Sequence, residues 1–341
     1  MGENYRPWSV DISSFPEKGF ILDQLKFLLG FAILAPSGHN SQPWKFSIKD
    51  NKVSIFVSTE RSLKESDPEG KQLCIGIGCA LENFLIASDF YGFDVTVDYF
   101  PDPAIENLFI EARLVRTRIT KNNESHLIFS IPKRLTERNK YSDRMPSEDF
   151  LESVRSFSGV EFETVFVVDR ETKNKLAEFA VTAQIEAMDS PSFRQELSHY
   201  MKSNLTKEKV GMPGFVLGLP LPISFVAPYF MRLTNLSRKT KNKDEDLLKK
   251  YTPALLVITT FRDDRIGWIQ IGQIFEKIWL KAVANGLCCA PWAAPVQVGD
   301  YHKKTQQLLH LKYVPRIFSR IGYCTTKGKH SPRFKLEEVV V

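Results

Sequence analysis

The sequence lacks the cysteine and histidine spacings that make a disulfide framework or a zinc site. Its five cysteines include no Cys-x-x-Cys pair, and its six histidines show no ligand spacing. An odd number of cysteines without such a pair is typical of small buried thiols in a reducing compartment. We therefore expect neither a bound metal nor a disulfide.

The sequence also lacks a targeting segment and a run of charge of one sign. Its first residues contain no apolar signal-peptide core, and Arg6 stands where N-myristoylation needs serine or threonine. Lysines and arginines are interspersed with acidic residues, and the net charge is only +6. That distribution gives no basic stripe for nucleic acid. We expect a cytoplasmic protein without stable membrane insertion and without a nucleic-acid partner.

The composition is that of a globular chain: 341 residues, 43% hydrophobic and 25% charged. Such a chain can bury the core of one large domain or of two ordinary ones. Apolar spacing predicts helices near residues 22–32, 74–91, 171–188 and 266–284. Alternating or continuous apolar runs predict strands near residues 44–48, 53–57, 95–97, 108–115, 160–168, 254–260 and 320–324.

One stretch has no charge at all, residues 210–231. Its length and hydrophobicity would suit a membrane-spanning helix. Four prolines and three glycines within it argue against such a helix. We predict a flexible apolar flap over a pocket, with a peripheral membrane contact as the alternative. The charged residues 232–250 that follow are expected to be exposed.

Glycines mark two further features. The sequence Gly76-Ile77-Gly78 lacks the third glycine and the preceding strand of a dinucleotide-binding fingerprint, so close helix packing is the better interpretation. A pattern of helix, glycine, apolar residues and proline recurs around Gly92 and around Gly286. This recurrence is a weak indication that the two halves of the chain repeat each other.

A loop at residues 35–44 joins a predicted helix to a predicted strand. Pro36 cannot continue the helical hydrogen-bond ladder, and Trp44 begins an apolar alternation typical of a strand. Between them lie hydroxyl groups, a glycine, an imidazole and two carboxamides. These groups can form hydrogen bonds along the edge of a flat heterocycle. A plain connector rich in turn-forming residues is the alternative.

Residues 131–141 form a basic segment in which Arg134, Thr136 and Arg138 follow one another at two-residue steps. Guanidinium groups offer bidentate hydrogen bonds and threonine offers a hydroxyl donor, so these three can converge on one dianion. Taken alone, the segment is better interpreted as a solvated basic loop. A second frame, residues 140–144, fits the same pattern less well and is the alternative location.

Two further stretches complete the candidate site. Residues 288–295 are mostly small, so the backbone there can approach a ligand closely. Near the C-terminus, Lys327, Lys329 and Arg333 form a cationic run. Each of these stretches, like the 35–44 loop and the Arg-x-Thr-x-Arg segment, occurs once in the chain. The sequence therefore predicts a single binding site at the seam between two halves.

The 35–44 loop resembles the flavin-edge loop of the FMN-dependent nitroreductase family, on the order Pro36, Ser37, Asn40, Gln42, Pro43 and Trp44. The Arg-x-Thr-x-Arg segment is similar to segments that bind FMN in that family. The likeness covers about residues 22–340 and is closest to the long, internally duplicated branch. It implies an α+β fold, with mixed β-sheets flanked by helices and two fused half-repeats forming a pseudo-dimer. Residues 1–130 would form the first half, and residues 131–341 the second, including a lid insertion at 203–250.

The same resemblance implies an FMN site shared by both halves. The first-half loop would contact the flavin, Arg134 and Thr136 would hold the phosphate, and Arg138 would face the pyrimidine edge. Residues 291–294 would lie along the isoalloxazine ring, and the C-terminal cations would complete the phosphate site. The cofactor-binding residues are then Pro36, Ser37, Gly38, Asn40, Arg134, Thr136, Arg138, Pro291, Trp292, Ala293, Ala294, Lys329 and Arg333.

The implied activity is hydride transfer from NAD(P)H through FMN to a nitroaromatic, a quinone or a similar acceptor. No catalytic acid, base or nucleophile is expected, because the flavin carries the electrons. The alternative is a non-catalytic protein that stores or senses FMN beneath the lid. We expect small-molecule partners and a monomer, because one chain would imitate the family's dimer, with a homodimer as the alternative.

Overall fold

The computed structural model describes residues 2–117 and 124–341, which contain two four-stranded antiparallel sheets. The first sheet has the order β1-β2-β4-β3, from β1 (Trp44–Lys49), β2 (Lys52–Val57), β3 (Phe93–Tyr99) and β4 (Leu108–Arg116). Its helices are α1 (Ile21–Ala32) and α2 (Lys71–Phe90). A two-residue turn joins β1 to β2, and Asp50 adopts the left-handed conformation there with a φ of 54°.

The second half contains more helices. They are α3 (Glu148–Arg155), α4 (Arg170–Asp189), α5 (Pro191–Tyr200), α6 (Leu221–Leu233), α7 (Ser237–Lys250), α8 (Arg265–Ala284), α9 (Ala294–Gln297) and α10 (Tyr301–Leu308). Its strands are β5 (Phe162–Val167), β6 (Met201–Lys202), β7 (Met212–Pro213), β8 (Ala254–Thr260), β9 (Cys288–Pro291) and β10 (Val314–Gly322). The order in the second sheet is β5-β8-β10-β9, and β6 and β7 form a short parallel pair.

The second sheet repeats the connectivity of the first. In each, the first two strands along the chain are neighbours, a 20-residue helix follows, and the last strand lies between the second and the third. The two helices are α2 and α8. Each ends before a glycine in the left-handed conformation, Gly92 with a φ of 78° and Gly286 with a φ of 71°. The fold is therefore α+β with two topologically equivalent halves, as the recurrence of glycines indicated.

Helices α2 and α8 pack directly against each other at a pair of glycines. A Cβ atom at Gly78 would lie 1.9 Å from the carbonyl oxygen of Ile269, and one at Gly272 would lie 2.2 Å from that of Ile75. Gly78 and Gly272 are both the eighth residue of their helices. The Gly-Ile-Gly sequence thus serves close helix packing, as predicted. Backbones in such contact leave no room for any side chain at either position.

The two sheets differ in what covers their outer faces. The inner faces of both contribute to one large core that includes α1, α2 and α8. In the second sheet, Leu255, Val257 and Phe318 point away from that core into a second cluster with α4 and α7. As a result all seven residues of β8 are buried, whereas β3 alternates between buried or half-buried and exposed side chains. The segment between β5 and β8 supplies this second cover.

The predicted secondary structure agrees with the observed elements over most of both sheets, but it differs in several places. The strand predicted near residues 320–324 is β10, which begins at Val314 and ends at Gly322. Residues 221–233 form a helix and not an irregular flap: Pro222 sits in its first turn, where the missing N–H costs nothing, although Pro228 lies inside it. Residues 288–291 pair with β10 as a strand and not as a turn. Residues 237–250 form α7, in which Leu248 is fully buried, so that segment is not simply exposed.

The prediction that all five cysteines are free is wrong for one pair. Cys288 and Cys324 form a disulfide, with their Cα atoms 5.9 Å apart. The register of the second sheet places Cys288 opposite Gly322, two residues before Cys324, and this pairing cannot be seen in the sequence. Cys74, Cys79 and Cys289 are free and buried. The inference of a reducing compartment therefore rests on these three thiols alone.

Helix α2 is the one helix among the described residues that is long and apolar enough to cross a membrane by length and composition. Most of it is buried within the fold, against α8 and the first sheet.

Candidate functional site

The loop after α1 has an unusual backbone. His39, Asn40 and Gln42 adopt the left-handed conformation, with φ angles of 50°, 57° and 50°. Left-handed residues other than glycine are uncommon, and a cluster of them is found where surrounding contacts hold the backbone in place. Here the Asn40 side chain donates to the carbonyls of Gly211 and Pro332, each at 3.0 Å. The loop is thus held against two distant segments of the second half.

Arg134 lies in the interior at the base of this loop. Its Nε is 3.1 Å from Oε1 of Glu276 on α8, and its guanidinium stacks 4.8 Å from the ring centre of Trp279. It also donates a hydrogen bond to the carbonyl of Leu34. Burial raises the pKa of Glu276 to about 7, and the nearby Arg134 opposes that rise. The first arginine of the predicted segment therefore already has a carboxylate partner.

Arg333 lies beside Arg134 and has no such partner. In the described part of the chain its hydrogen bonds go to neutral oxygens, of Asn40, Pro332, Leu34 and Ala35. Its guanidinium stacks 4.7 Å from the ring centre of Trp8, and its Nε has no hydrogen-bond acceptor among those residues. Burial, reinforced by Arg134, holds the pKa of Arg333 well below its usual range. Two buried guanidinium groups thus share one carboxylate.

These groups line a small cavity of about 50 Å³, which we call the cup. Arg138 and Lys329 add two more cations to its wall. Its two histidines are uncharged at neutral pH, since burial lowers the pKa of both His39 and His330 to about 4. Nε2 of each has no hydrogen-bond partner among the described residues. The cup therefore has an excess of positive charge and spare polar groups, which suits a small anion.

The buried carboxylate of Glu137 links the two chain segments that carry Arg138 and Lys329. Glu137 accepts hydrogen bonds from the backbone N–H of Asn139 at 3.1 Å and of Gly328 at 2.6 Å. Its own N–H donates to the carbonyl of Cys289 at 3.1 Å. Arg138 is left free of an acidic partner among the described residues and presents its surface to the cavities. Partial desolvation lowers its pKa.

The cup opens into a much larger cavity of about 490 Å³, which we call the chamber. Ser37, Thr136 and Arg138 belong to the walls of both. On one side the chamber is bounded by residues 290–294, where Trp292 donates a backbone hydrogen bond to Phe318 at 2.8 Å. On the other side lie apolar residues of α2 and α8. A small cationic compartment joined to a long, mostly apolar one fits an elongated ligand with an anionic end.

The segment between β5 and β8 forms the roof of the chamber. Helices α4, α5 and α7 contribute Gln184, Leu197 and Leu247 to its walls. The turn after β7 adds Leu217, and Met212 of β7 reaches both cavities, with its Sδ 4.0 Å from the guanidinium of Arg138. Part of the predicted flap therefore lines the pocket, although the rest of it is the helix α6.

The structure brings all thirteen predicted site residues to these two connected cavities. The cup is lined by Pro36, Ser37, Asn40, Arg134, Thr136, Arg138, Lys329 and Arg333. The chamber is lined by Pro36, Ser37, Gly38, Thr136, Arg138, Pro291, Trp292, Ala293 and Ala294. The alternative frame at residues 140–144 lies elsewhere: Arg144 stacks on Tyr323 and Lys140 on Tyr251. The ligand contacts expected of each residue remain predictions.

Sequence reasoning missed several residues of the site. Trp8 stacks on His330 with ring centres 4.0 Å apart, and both line the cup. Glu276 lies behind the cup, 3.1 Å from Nε of Arg134, on a helix where a buried acid in an apolar stripe was the available signal. Trp8 lies far from every motif in the chain, so no local pattern could have indicated it. The roof residues of α4, α5 and α7 likewise carry no motif.

No protein-family model matches the chain. Two curated relatives come from Mycobacterium tuberculosis. The "Putative NAD(P)H nitroreductase Rv3131" is 25% identical over 330 residues, which cover 93% of this chain and 91% of that protein. The "Putative NAD(P)H nitroreductase acg" is 22% identical over 329 residues, which cover 95% and 97%.

Solved structures with partial likeness include the FMN-dependent nitroreductase NfnB from Mycobacterium smegmatis in complex with NADPH. It is 14% identical, covers 61% of this chain and 94% of its own, and has a TM-score of 0.40. The FMN and NADPH-dependent nitroreductase NfnB from Sphigopyxis is also 14% identical, covers 64% and 98%, and has a TM-score of 0.41.

Proposed function

We propose that this chain is an FMN-dependent oxidoreductase of the nitroreductase superfamily, a proposal supported by its similarity along most of its length to proteins named as NAD(P)H nitroreductases. Bound FMN would accept a hydride from NAD(P)H and deliver it to a nitroaromatic, a quinone or a similar small acceptor. One observation carries the cofactor proposal: Arg333 is buried next to Arg134, and the pair shares a single carboxylate, Glu276. A phosphate group in the cup would supply the missing negative charge.

The residues of the two cavities fit such a cofactor in charge and in shape. In the cup, Arg333 and Lys329 would pair with the phosphate, and the hydroxyl of Thr136 would donate to it. In the chamber, the backbone of residues 291–294 would lie along the flat ring system, opposite the loop that holds Ser37 and Gly38. Arg138, at the junction, would place a fixed positive charge beside the ring edge that becomes negative on reduction.

The roof would control access to the chamber. We propose that residues of the insertion, including Met212 and Leu217, act as a lid that excludes water from the ring face. The alternative function, an FMN-storage protein without turnover, differs only in whether this roof admits a nicotinamide and an acceptor. Catalysis needs no side-chain acid or base of the protein, and none of the chamber residues is assigned that role.

The decisive experiment is FMN titration of an Arg138 variant and a matched control. Arg138→Gln removes a cation that has no carboxylate partner in the described structure, so the fold should be kept. Losing one charge-assisted contact costs about 1.5–3 kcal/mol, which corresponds to roughly ten- to a hundredfold weaker FMN binding. The control is Arg144→Gln, which removes an arginine that stacks on Tyr323 outside the cavities. It should bind FMN like the parent protein.

Weaker binding only in the Arg144 variant or in Lys140→Gln would place the phosphate site in the 140–144 frame and contradict the proposal. Turnover is then tested by adding NADPH to the FMN-loaded protein without oxygen and following the visible flavin absorbance. Bleaching, and its reversal by a nitroaromatic or a quinone, supports the oxidoreductase. A flavin that is bound tightly but never reduced supports the storage function.

A further inference from the structure

Helix α6 presents its large apolar side chains to solvent. Phe225 is 56% exposed, Tyr229 is 66% exposed, Phe230 is 52% exposed and Leu233 is 57% exposed. Leu221, Ile223 and Val226 of the same helix are also exposed. A surface helix normally turns such residues toward the core. A contiguous apolar face of this kind marks an interaction surface.

The inward side of α6 is fixed in place at Ser224. Ser224, 1% exposed, is the one buried residue of the helix. Its hydroxyl accepts a hydrogen bond from the N–H of Asn204 at 3.0 Å and donates one to the carbonyl of Leu221 at 2.7 Å. A Cβ atom at Gly214 would lie 2.5 Å from that of Ser224, so the helix is in close contact there. The helix cannot roll to bury its aromatic side without losing these contacts.

The chain around α6 is basic and free of acidic residues. Residues 209–243 contain six lysines and arginines and no aspartate or glutamate. Lys209 and Arg238 are paired with the distant Glu338 and Asp189, and Lys241 is paired with Glu245 one turn further along α7. Arg232, within the helix, and Lys239, six residues beyond its end, have no carboxylate partner in the described residues. Aromatic side chains flanked by unpaired cations are typical of helices that lie in a membrane interface.

We propose that α6 docks this protein on an anionic membrane surface. The helix has 13 residues, so at about 1.5 Å per residue it is about 20 Å long, too short to cross a hydrocarbon core of about 30 Å. It would therefore lie flat, with Phe225, Tyr229 and Phe230 among the acyl chains and Arg232 at the headgroups. Docking needs neither FMN nor turnover, because no side chain of α6 lines the cup or the chamber.

A second copy of the chain fits this surface less well than a membrane does. In a symmetric dimer the same patch meets itself, so Arg232 and Lys239 of one copy would approach their equivalents in the other. Like charges brought together in this way oppose association, whereas anionic headgroups compensate them. The charge around the helix thus favours lipid over a second protomer.

The test is sedimentation of the full chain with vesicles of phosphatidylcholine alone or mixed with phosphatidylglycerol. We expect binding to the mixed vesicles, weakened by added salt, and little binding to the neutral ones. Phe225→Gln, Tyr229→Gln and Phe230→Gln combined should lower the partition coefficient by roughly tenfold or more, since binding scales with the apolar area inserted. Because all three side chains are exposed, folding should be kept. The matched control is Phe261→Gln, an exposed aromatic away from α6.

Removing the cations tests the electrostatic part separately. Arg232→Gln and Lys239→Gln should each weaken binding to the anionic vesicles by about fivefold. Equal binding of the parent protein to neutral and anionic vesicles would overturn the charge recognition. No sedimentation with either vesicle, together with a dimer that the aromatic substitutions convert to monomer, would overturn the proposal in favour of a protein interface. FMN content, measured on the same preparations, should be unaffected throughout.

Discussion

The two halves of the molecule share a sheet topology but differ in how they join its first two strands. In the first half, β1 and β2 are connected by a two-residue turn at residues 50–51. In the second half, the equivalent strands β5 and β8 are separated by residues 168–253, which form α4 to α7. The added helices cover the outer face of the second sheet and form the roof of the chamber.

This difference separates the scaffold from the site. The repeated parts are the two sheets and the paired helices α2 and α8. They form the main core of the protein and one wall of the chamber. The unrepeated parts supply the groups that a ligand would meet: the left-handed loop in the first half, and the cations and the roof in the second. The two halves thus share one sheet topology, but each carries different groups for a ligand. We therefore expect one complete site per chain.

The largest effect is therefore expected in cofactor stoichiometry. One FMN per chain should be released by acid from purified protein of known concentration, because the Ser37–Asn40 loop and the Arg-x-Thr-x-Arg segment each occur once. Arg138→Gln, at equal protein and limiting FMN, should lower that ratio. A ratio near two per chain would mean that each half binds FMN, and it would contradict the expectation of a single site.

The shared scaffold predicts equal sensitivity at its centre. Gly78→Ala and Gly272→Ala each force a methyl group against a backbone carbonyl of the other helix, so each should destabilise the protein by about 3 kcal/mol. Gly30→Ala, in α1 with no atom within 4 Å of the added Cβ, is the control and should stabilise by up to about 1 kcal/mol. Urea denaturation measures all three. A large difference between Gly78 and Gly272 would show that the two helices are not equivalent.

The loop at residues 35–44 should make a smaller contribution, through His39, to the pH dependence of folding stability. Burial lowers the pKa of His39 to about 4, so the folded chain takes up this proton later than the unfolded chain as the pH falls. Stability should therefore decrease between about pH 6.5 and pH 4, by about 2 kcal/mol for this residue. His39→Asn keeps a residue type that tolerates the left-handed backbone and should flatten that decrease.

The control for this substitution is His310→Asn, which also has a φ of 50° but lies at the surface. Denaturation of flavin-free protein across that pH range is the measurement. If His39→Asn and the parent protein lose stability in parallel, the buried imidazole is not the cause.

Sequence patterns were sufficient for the scaffold because its elements have strong periodicity. The β8 strand was predicted at the bounds that the structure has, since seven consecutive apolar or small residues are buried on both faces. Helix α6 was missed because its prolines suggest breaks, yet Pro222 occupies the tolerated first turn. The disulfide was missed because it depends on the register between β9 and β10, which spans distant residues.

The candidate site was predicted from short segments whose order is fixed along the chain. In the structure Ser37, Thr136 and Arg333 of those segments line one cavity, and their contacts with a ligand stay a prediction. The sequence did not reveal that Arg134 is paired with Glu276, because that contact depends on the position of α8. Nor did it reveal that the unpaired charge belongs to Arg333 and Arg138. Tertiary contacts decide which of several cations stays available to a ligand.

The last three residues extend the first sheet although they belong to the second half. Phe46 of the edge strand β1 donates its N–H to the carbonyl of Val339 at 2.7 Å and accepts from the N–H of Val341 at 2.8 Å. An uncovered edge strand can pair with a strand of another molecule and so start aggregation. Residues 339–341 occupy the edge of β1 and prevent that pairing. Removing these residues, or cutting the chain near residue 130 to isolate the first half, would expose that edge.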